Sequence, residues 1–93
     1  MPYIKQEERE VLDPLIWELQ EGVNKIFPFG LLERAGRFNY AVTRLLQGVF
    51  PPRGGYWIKA LACGVLLTII LEFYRRDVAH YEDNKAIENG DVY

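Results

Sequence analysis

The sequence has few of the residues that build disulfides and metal sites. It contains one cysteine, Cys63, and one histidine, His80. One cysteine excludes a disulfide framework, and the two residues together are too few for a Cys/His zinc site within one chain. The chain also lacks a cationic start followed by an apolar stretch, so no secretory signal is expected. We therefore expect a cytoplasmic protein without metal or cofactor.

A basic excess and a long hydrophobic run are also missing. The chain has 11 Lys and Arg against 13 Asp and Glu, a formal charge of −2, which excludes a general nucleic-acid binder. The longest apolar stretch without charge, residues 60–71, is bounded by Lys59 and Glu72. Its twelve residues are fewer than the roughly 20 that span a bilayer, so we expect no membrane association.

Catalytic motifs are absent as well. There is no glycine-rich phosphate loop followed by Lys-Ser/Thr and no Gly-x-Ser-x-Gly. Cys63 has no basic neighbour that would activate its thiol, so we expect it to be a small core residue. We expect His80 to be a surface histidine. Glu72 and Asp83 form an incomplete set of magnesium ligands, and the neighbouring arginines would compete for these carboxylates. We expect a protein that is not an enzyme.

The residues that are present indicate a small helical domain. Of the 93 residues, 49% are hydrophobic, which suits a single folded domain over residues 1–93. Proline and glycine cluster at residues 27–30 and 50–55, and no segment alternates like a strand. The sequence therefore predicts an all-α fold of three main helices in a small bundle.

The helix limits follow from apolar spacing and capping residues. The first segment begins with a turn or two near Gln6, and Asp13 with Pro14 is predicted to restart it. The second runs from about Leu31 to Val49, and the third from about Gly55 into the 80s, with Gly90 as its left-handed end. The apolar stripe of the first helix comprises Leu12, Leu15, Ile16, Leu19, Val23 and Ile26.

The third helix has more apolar surface than one small chain can cover. Residues 60–71 are apolar on all sides, and only two other helices are available to cover them. Ala60, Gly64 and Thr68 form a ridge of small residues that permits close helix approach. We expect a homodimer or higher oligomer that partly buries this long helix through residues 57–71.

The small net charge is an average over three unequal segments. Residues 1–26 and 60–93 each carry three positive and six negative groups, whereas residues 27–59 carry five positive groups and one negative. Arg34, Arg37 and Arg44 lie along one flank of the second helix. Two interpretations stay open: the arginines pair with acidic faces of the other helices, or part of this zone binds an anion.

Six stretches of the chain carry a resemblance to other proteins: Met1 to Ile4, Asp13-Pro14, Phe38 to Leu46, Glu72 to Arg76, Tyr81 to Lys85 and Glu88 to Tyr93. In these stretches the chain resembles a family of small helical proteins, of no known activity, from tailed phages and some prokaryotic genomes. The resemblance lends no catalytic residues. It implies a short accessory protein, and by analogy with other small phage oligomers an anti-defence role in the host cytoplasm.

These observations lead to one functional hypothesis and an alternative. The first is a non-catalytic homo-oligomer that sequesters an anionic, nucleotide-like molecule, with arginines on the phosphates and an aromatic ring stacked on the base. The alternative is a protein–protein interaction module with an acidic partner, or a structural phage component. The candidate binding residues are Arg37, Asn39, Tyr40, Arg44, Trp57, Glu72, Tyr74, Arg75 and Arg76.

Overall fold

The computed structural model describes residues 3–25 and 30–93, and these residues form three helices and no strand. Helix α1 spans Gln6–Asn24, α2 spans Leu31–Val49 and α3 spans Tyr56–Asn89. The prediction of an all-α fold with a long third helix is confirmed. The predicted break at residues 27–29 lies outside the described residues, as does the stripe position Ile26.

The predicted restart of the first helix at Asp13 is wrong, because α1 runs through Pro14 without interruption. The helix begins at Gln6, where the Lys5 carbonyl accepts hydrogen bonds from the N–H groups of Glu8 and Arg9 at 3.0 and 3.1 Å. Proline lacks the N–H that would bond to the carbonyl four residues earlier. That carbonyl belongs to an exposed residue, so water can satisfy it.

The short link between α2 and α3 is fixed by its own hydrogen bonds. The Gly54 N–H donates to the Pro51 carbonyl at 3.2 Å, and Lys59 Nζ donates to the Pro52 carbonyl at 3.0 Å. A side chain at Gly54 would overlap Ile58, so this turn requires glycine. The link therefore sets the direction in which α3 leaves the end of α2.

Helix α3 changes its winding near its middle. Residues Tyr74–Val78 form a π-helical turn between the α-helical parts Tyr56–Phe73 and Ala79–Asn89. A π-helical turn rotates the residues that follow it to a different face of the helix, and such turns are frequent at functional sites. The helix ends before Gly90, whose φ is +89°, so the predicted positive-φ residue is confirmed.

The packed part of this small bundle is the α1–α2 pair, and α3 has no comparable partner among the described residues. Ala62 is the one hydrophobic residue that is buried in the part of the chain the structure describes. The radius of gyration is 17.1 Å, against about 12 Å for a compact domain of this length. The accessible surface is 8562 Å², whereas a compact monomer of 10.8 kDa exposes about 5500 Å².

Within residues 3–25 and 30–93, one helix is long and apolar enough to cross a membrane by length and composition alone. It is Tyr56–Asn89, whose most apolar 18-residue window has a mean hydropathy of 1.7 and is 6% buried. The window reaches 18 residues by including charged positions that bound the uncharged run of twelve. Length and composition of one helix are weak evidence for a span.

Candidate functional site

A groove with arginines on its rim lies between α1 and α2. We call it the basic groove; its volume is about 560 Å³. Three of the predicted binding residues, Arg37, Tyr40 and Arg44, line it from α2. They come together because spacings of three and four residues place side chains on one helix face. The other lining residues are Leu19, Gly22, Val23, Ala41, Leu45, Gly48 and Val49.

Arg37 links the two helices that form the basic groove. Its Nη1 donates to the Val23 carbonyl at 3.0 Å. Val23 lies in the last turn of α1, where carbonyls have no partner within the helix and a cation is favourable. A guanidinium carries five N–H donors, so one bond to the backbone leaves capacity for a ligand. Arg37 therefore holds the end of α1 through one hydrogen bond and keeps further N–H groups that can bind a ligand in the basic groove.

Arg44 and Tyr40 form a second element of the basic groove. The guanidinium carbon of Arg44 lies 5.9 Å from the centre of the Tyr40 ring, and Nη1 donates to the Tyr40 hydroxyl at 3.3 Å. The two residues are one helical turn apart, and this contact holds the arginine over the ring. Tyr40 itself is 63% exposed.

No carboxylate neutralises these arginines in the described part of the chain. The ion pairs found there join Glu72 to Arg75 and Arg76, and Lys85 to Glu88. Arg37 and Arg44 have no acidic group within 4.0 Å among the described residues. An anion entering the basic groove would meet two arginines that do not first have to release a carboxylate among the described residues.

A second groove follows the other side of the contact line between α1 and α2. We call it the apolar groove; its volume is about 420 Å³, and it shares Leu19, Val23, Ala41 and Leu45 with the basic groove. Its own walls carry no charged residue and consist of Ile16, Gln20, Asn24, Phe38 and Val42. Phe38 is 63% exposed. One helix pair therefore has a basic side and an apolar side.

The polar residues predicted on α3 form a separate cluster. Glu72 Oε1 accepts a hydrogen bond from Arg75 Nη2 at 2.8 Å and lies 3.8 Å from Arg76 Nε. It also accepts a short hydrogen bond from the Tyr3 hydroxyl. We call Tyr3, Glu72, Arg75 and Arg76 the Glu72 cluster. None of these residues lines the basic groove, so one chain does not bring the two sets of arginines together.

The hydrogen bonds of the Glu72 cluster stabilise the ionised carboxylate. The bond from the Tyr3 hydroxyl, followed by the bond from Arg75, lowers the pKa of Glu72 below its ordinary value. The same hydrogen bond with Glu72 raises the pKa of Arg75. The cluster thus contains ion pairs between neighbouring residues of α3, and Arg34, Arg37 and Arg44 of α2 do not take part in it.

The remaining predicted binding residues lie elsewhere. Asn39 Oδ1 accepts a hydrogen bond from Thr43 Oγ1 at 3.3 Å, and Asn39 does not line the basic groove. Trp57, in the first turn of α3, is 67% exposed. Tyr74 opens the π turn and is 52% exposed. None of the three joins Arg37, Tyr40 and Arg44 within one chain.

The predicted small-residue ridge of Ala60, Gly64 and Thr68 is open to solvent on much of its length. Ala60 and Gly64 are exposed, and a side chain built at Gly64 would meet nothing within 4 Å. The Thr68 hydroxyl donates to the Val65 carbonyl at 2.7 Å, so it needs no partner outside the helix. The ridge is therefore free to accept a neighbouring helix.

Two contributors to these sites were not predicted. Tyr3 lies 69 positions from its partner Glu72, and no local pattern connects them. The α1 residues that line the basic groove include Gly22, which the sequence offers as an ordinary helix residue. Only the spacing of the apolar stripe on α1 hinted that Leu19 and Val23 would face α2.

Among the described residues, no three His, Cys, Asp or Glu side chains are grouped as a metal site requires.

Comparison with known proteins places the chain in a family and goes no further. No curated protein and no solved structure matches it. A family model matches residues 1–92, nearly the whole sequence, and agrees with the resemblance to a family of no known activity. The chain therefore belongs to the family described as a domain of unknown function, DUF6899.

Proposed function

We propose that the protein is a non-catalytic homo-oligomer that sequesters an anionic, nucleotide-like small molecule in the basic groove. One observation carries the proposal. Arg37 and Arg44 flank the exposed ring of Tyr40, and no acidic group among the described residues lies within 4.0 Å of either arginine. Arginines bind phosphate oxygens through paired N–H groups, and an aromatic ring can stack on a base.

The size and lining of the basic groove suit such a ligand. It is an open surface groove, and its volume of about 560 Å³ falls within the roughly 300–1000 Å³ typical of small-molecule sites. Its walls are mainly apolar, with the arginines at one side, so the base and the phosphates would have different surroundings. Gly22 and Gly48 line it without side chains, and a ligand can approach the backbone there.

The arginines of the two helices have different roles in this proposal. Arg75 and Arg76 lie beside Glu72, and a phosphate would have to compete with that carboxylate for them. Arg37 and Arg44 have no such competitor among the described residues. We therefore assign the phosphate contacts first to Arg37 and Arg44, and regard the α3 pair as a structural contact.

The biological setting belongs to the same proposal. The protein would be an accessory protein of a phage or prokaryotic genome, acting in the cytoplasm without a membrane anchor, and sequestration of a nucleotide signal would be an anti-defence activity. Support comes from the sequence resemblance and from the basic groove.

Thermal shift against mono-, di- and cyclic nucleotides tests the proposal. A ligand at 100 times its dissociation constant adds about 2.7 kcal/mol to stability, which raises the melting temperature of a domain this small by roughly 10 °C or more. Arg44→Ala should abolish the shift while the unliganded melting temperature changes little. Arg34→Ala is the matched control, because it removes the same charge from α2 outside the groove.

The outcome also decides between this function and the alternative. A wild-type protein that no nucleotide stabilises would contradict sequestration of a nucleotide-like ligand. The basic groove would then be better explained as a docking surface for an acidic protein partner. An equal loss of shift in Arg34→Ala and Arg44→Ala would show that binding follows the overall charge of α2 and not the groove.

A further inference from the structure

Among residues 3–25 and 30–93, two apolar surfaces lack a partner within the chain. The first is the apolar groove beside Ile16, Phe38 and Val42. The second is the Tyr56–Phe73 part of α3, whose apolar residues lie on all sides and where Ala62 alone is buried. Leu67, Ile70 and Leu71 of this part are each more than half exposed. A helix that is apolar all round requires burial all round.

The area that lacks cover is large. One chain exposes 8562 Å², about 3000 Å² more than a compact monomer of its mass. A standard protein–protein interface covers about 800 Å² on each partner, and obligate dimers cover considerably more. The excess is therefore of the size that a permanent, intertwined dimer buries.

The link between α2 and α3 keeps these two surfaces apart within the chain. Its hydrogen bonds, Gly54 to Pro51 and Lys59 to Pro52, hold the start of α3 at the end of α2. No described part of α3 lines the apolar groove. Short, rigid links of this kind favour exchange of an element between identical chains, because each copy offers both the helix and the place for it.

We infer that the apolar groove receives helix α3 of a second copy of this chain, and that the exchange is reciprocal. This inference deepens the homo-oligomeric part of the proposed function and rests on it. It leaves the basic groove, on the other side of the α1–α2 contact line, open to a ligand. Two copies related by a two-fold axis would cover both apolar surfaces at once.

A membrane is the other environment that could cover α3, and the residues favour the second copy. The uncharged run of twelve residues is shorter than the roughly 20 that a span needs. Glu72, partly buried and bonded to Tyr3 and Arg75, lies at one end of it. Insertion of α3 into lipid would also leave Phe38 and the rest of the apolar groove without cover.

Cross-linking between two differently sized chains tests the inference. Cys63 is a native, exposed thiol on α3. A tagged chain carrying Cys63→Ser and Val42→Cys would be co-expressed with the untagged wild-type chain, so that mixed dimers form during folding, and treated with a short bismaleimide. Any product of intermediate size then joins Cys63 of one copy to the groove of another. Ile16→Cys and Phe38→Cys repeat the measurement at two more groove positions and allow for an offset in register.

Leu32→Cys is the matched control, since Leu32 is also on α2, is 86% exposed and lines neither groove. We expect at least fivefold more mixed product from a groove position than from the control. Equal yields would overturn the inference. So would a chain with both Val42→Cys and Cys63 that cross-links only within itself, or wild-type protein that pellets with membranes. Nucleotide-induced thermal shift reads the basic groove separately, so a failed cross-link and a failed ligand proposal can be distinguished.

Discussion

Replacing Gly64 with leucine tests how the chains assemble without destabilising the single chain. A side chain at position 64 meets nothing within 4 Å in one chain, so the substitution creates no internal clash. Leucine is also a better helix former than glycine by roughly 0.8 kcal/mol. The isolated helix should therefore be at least as stable as before. Any loss of assembly then reports a contact made by the ridge with another chain.

The expected loss can be worked out from packing. Forcing a larger side chain into a close helix contact costs roughly 1–3 kcal/mol, and a symmetric dimer would incur this cost twice. A total of about 2–6 kcal/mol weakens the dissociation constant by about 30-fold to more than 10⁴-fold. Sedimentation equilibrium over a dilution series measures that constant, and circular dichroism checks that helix content is kept.

Gly36→Leu is the control for this experiment. Gly36 is also an exposed mid-helix glycine, on α2, where an added side chain meets nothing within 4 Å. It lines neither groove. If Gly64→Leu and Gly36→Leu associate as tightly as the wild-type protein, the small-residue ridge is not the contact, and the reasoning from helix spacing fails.

Three further predictions concern the other sites. Gly48→Leu should fill the basic groove, because Gly48 lines it and an added side chain meets nothing within 4 Å in the chain. The nucleotide concentration needed for a given thermal shift should then rise at least tenfold. Gly36→Leu, where an added side chain also meets nothing within 4 Å, should leave that concentration unchanged. In Tyr3→Phe, the pKa of Glu72 measured by carboxylate NMR should rise toward its ordinary value of 4.5. Because folding lowers that pKa, the Tyr3–Glu72 contact stabilises the protein above pH 4.5, and this stabilisation is lost as the pH falls through the lowered pKa. In Trp17→Phe, the remaining Trp57, 67% exposed in one chain, should shift its emission to shorter wavelength as concentration rises, and an emission maximum independent of concentration would argue against an interface at residues 57–71.

The secondary structure was predictable because its determinants are local. The limits of α2 follow from apolar spacing between two groups of proline and glycine, and Gly90 marks the end of α3 through its conformational freedom. The one local prediction that failed, at Asp13 and Pro14, assumed that proline begins a helix. An exposed position can also hold proline inside one, where water satisfies the freed carbonyl.

The candidate site was predictable in part. Arg37 and Arg44 were assigned to one flank of α2 because helix geometry alone fixes which positions share a face, and both line the basic groove. Tyr40, Trp57 and Tyr74 were added because they are close in sequence to cations, and Asn39 because it lies in a stretch that carries the resemblance. Neither criterion carries three-dimensional information, and of these four residues Tyr40 alone lines the basic groove. The pairing of Glu72 with Arg75 and Arg76 follows from their spacing of three and four residues on α3, whereas the bond from Tyr3 to Glu72 depends on where α3 lies relative to the start of the chain.

Three features of this protein follow from the amino-acid sequence alone: the all-α composition, the basic middle segment and a third helix that is apolar on every side. Each of these is a property of consecutive residues, so no tertiary contact is needed to establish it. The tertiary structure decided that the α1–α2 pair has a basic side and an apolar side, and that Arg37 holds the end of α1. It also decided that Tyr3 bonds to Glu72. These facts depend on the rotation and register of one helix against another, which packing between distant residues sets and no local pattern encodes.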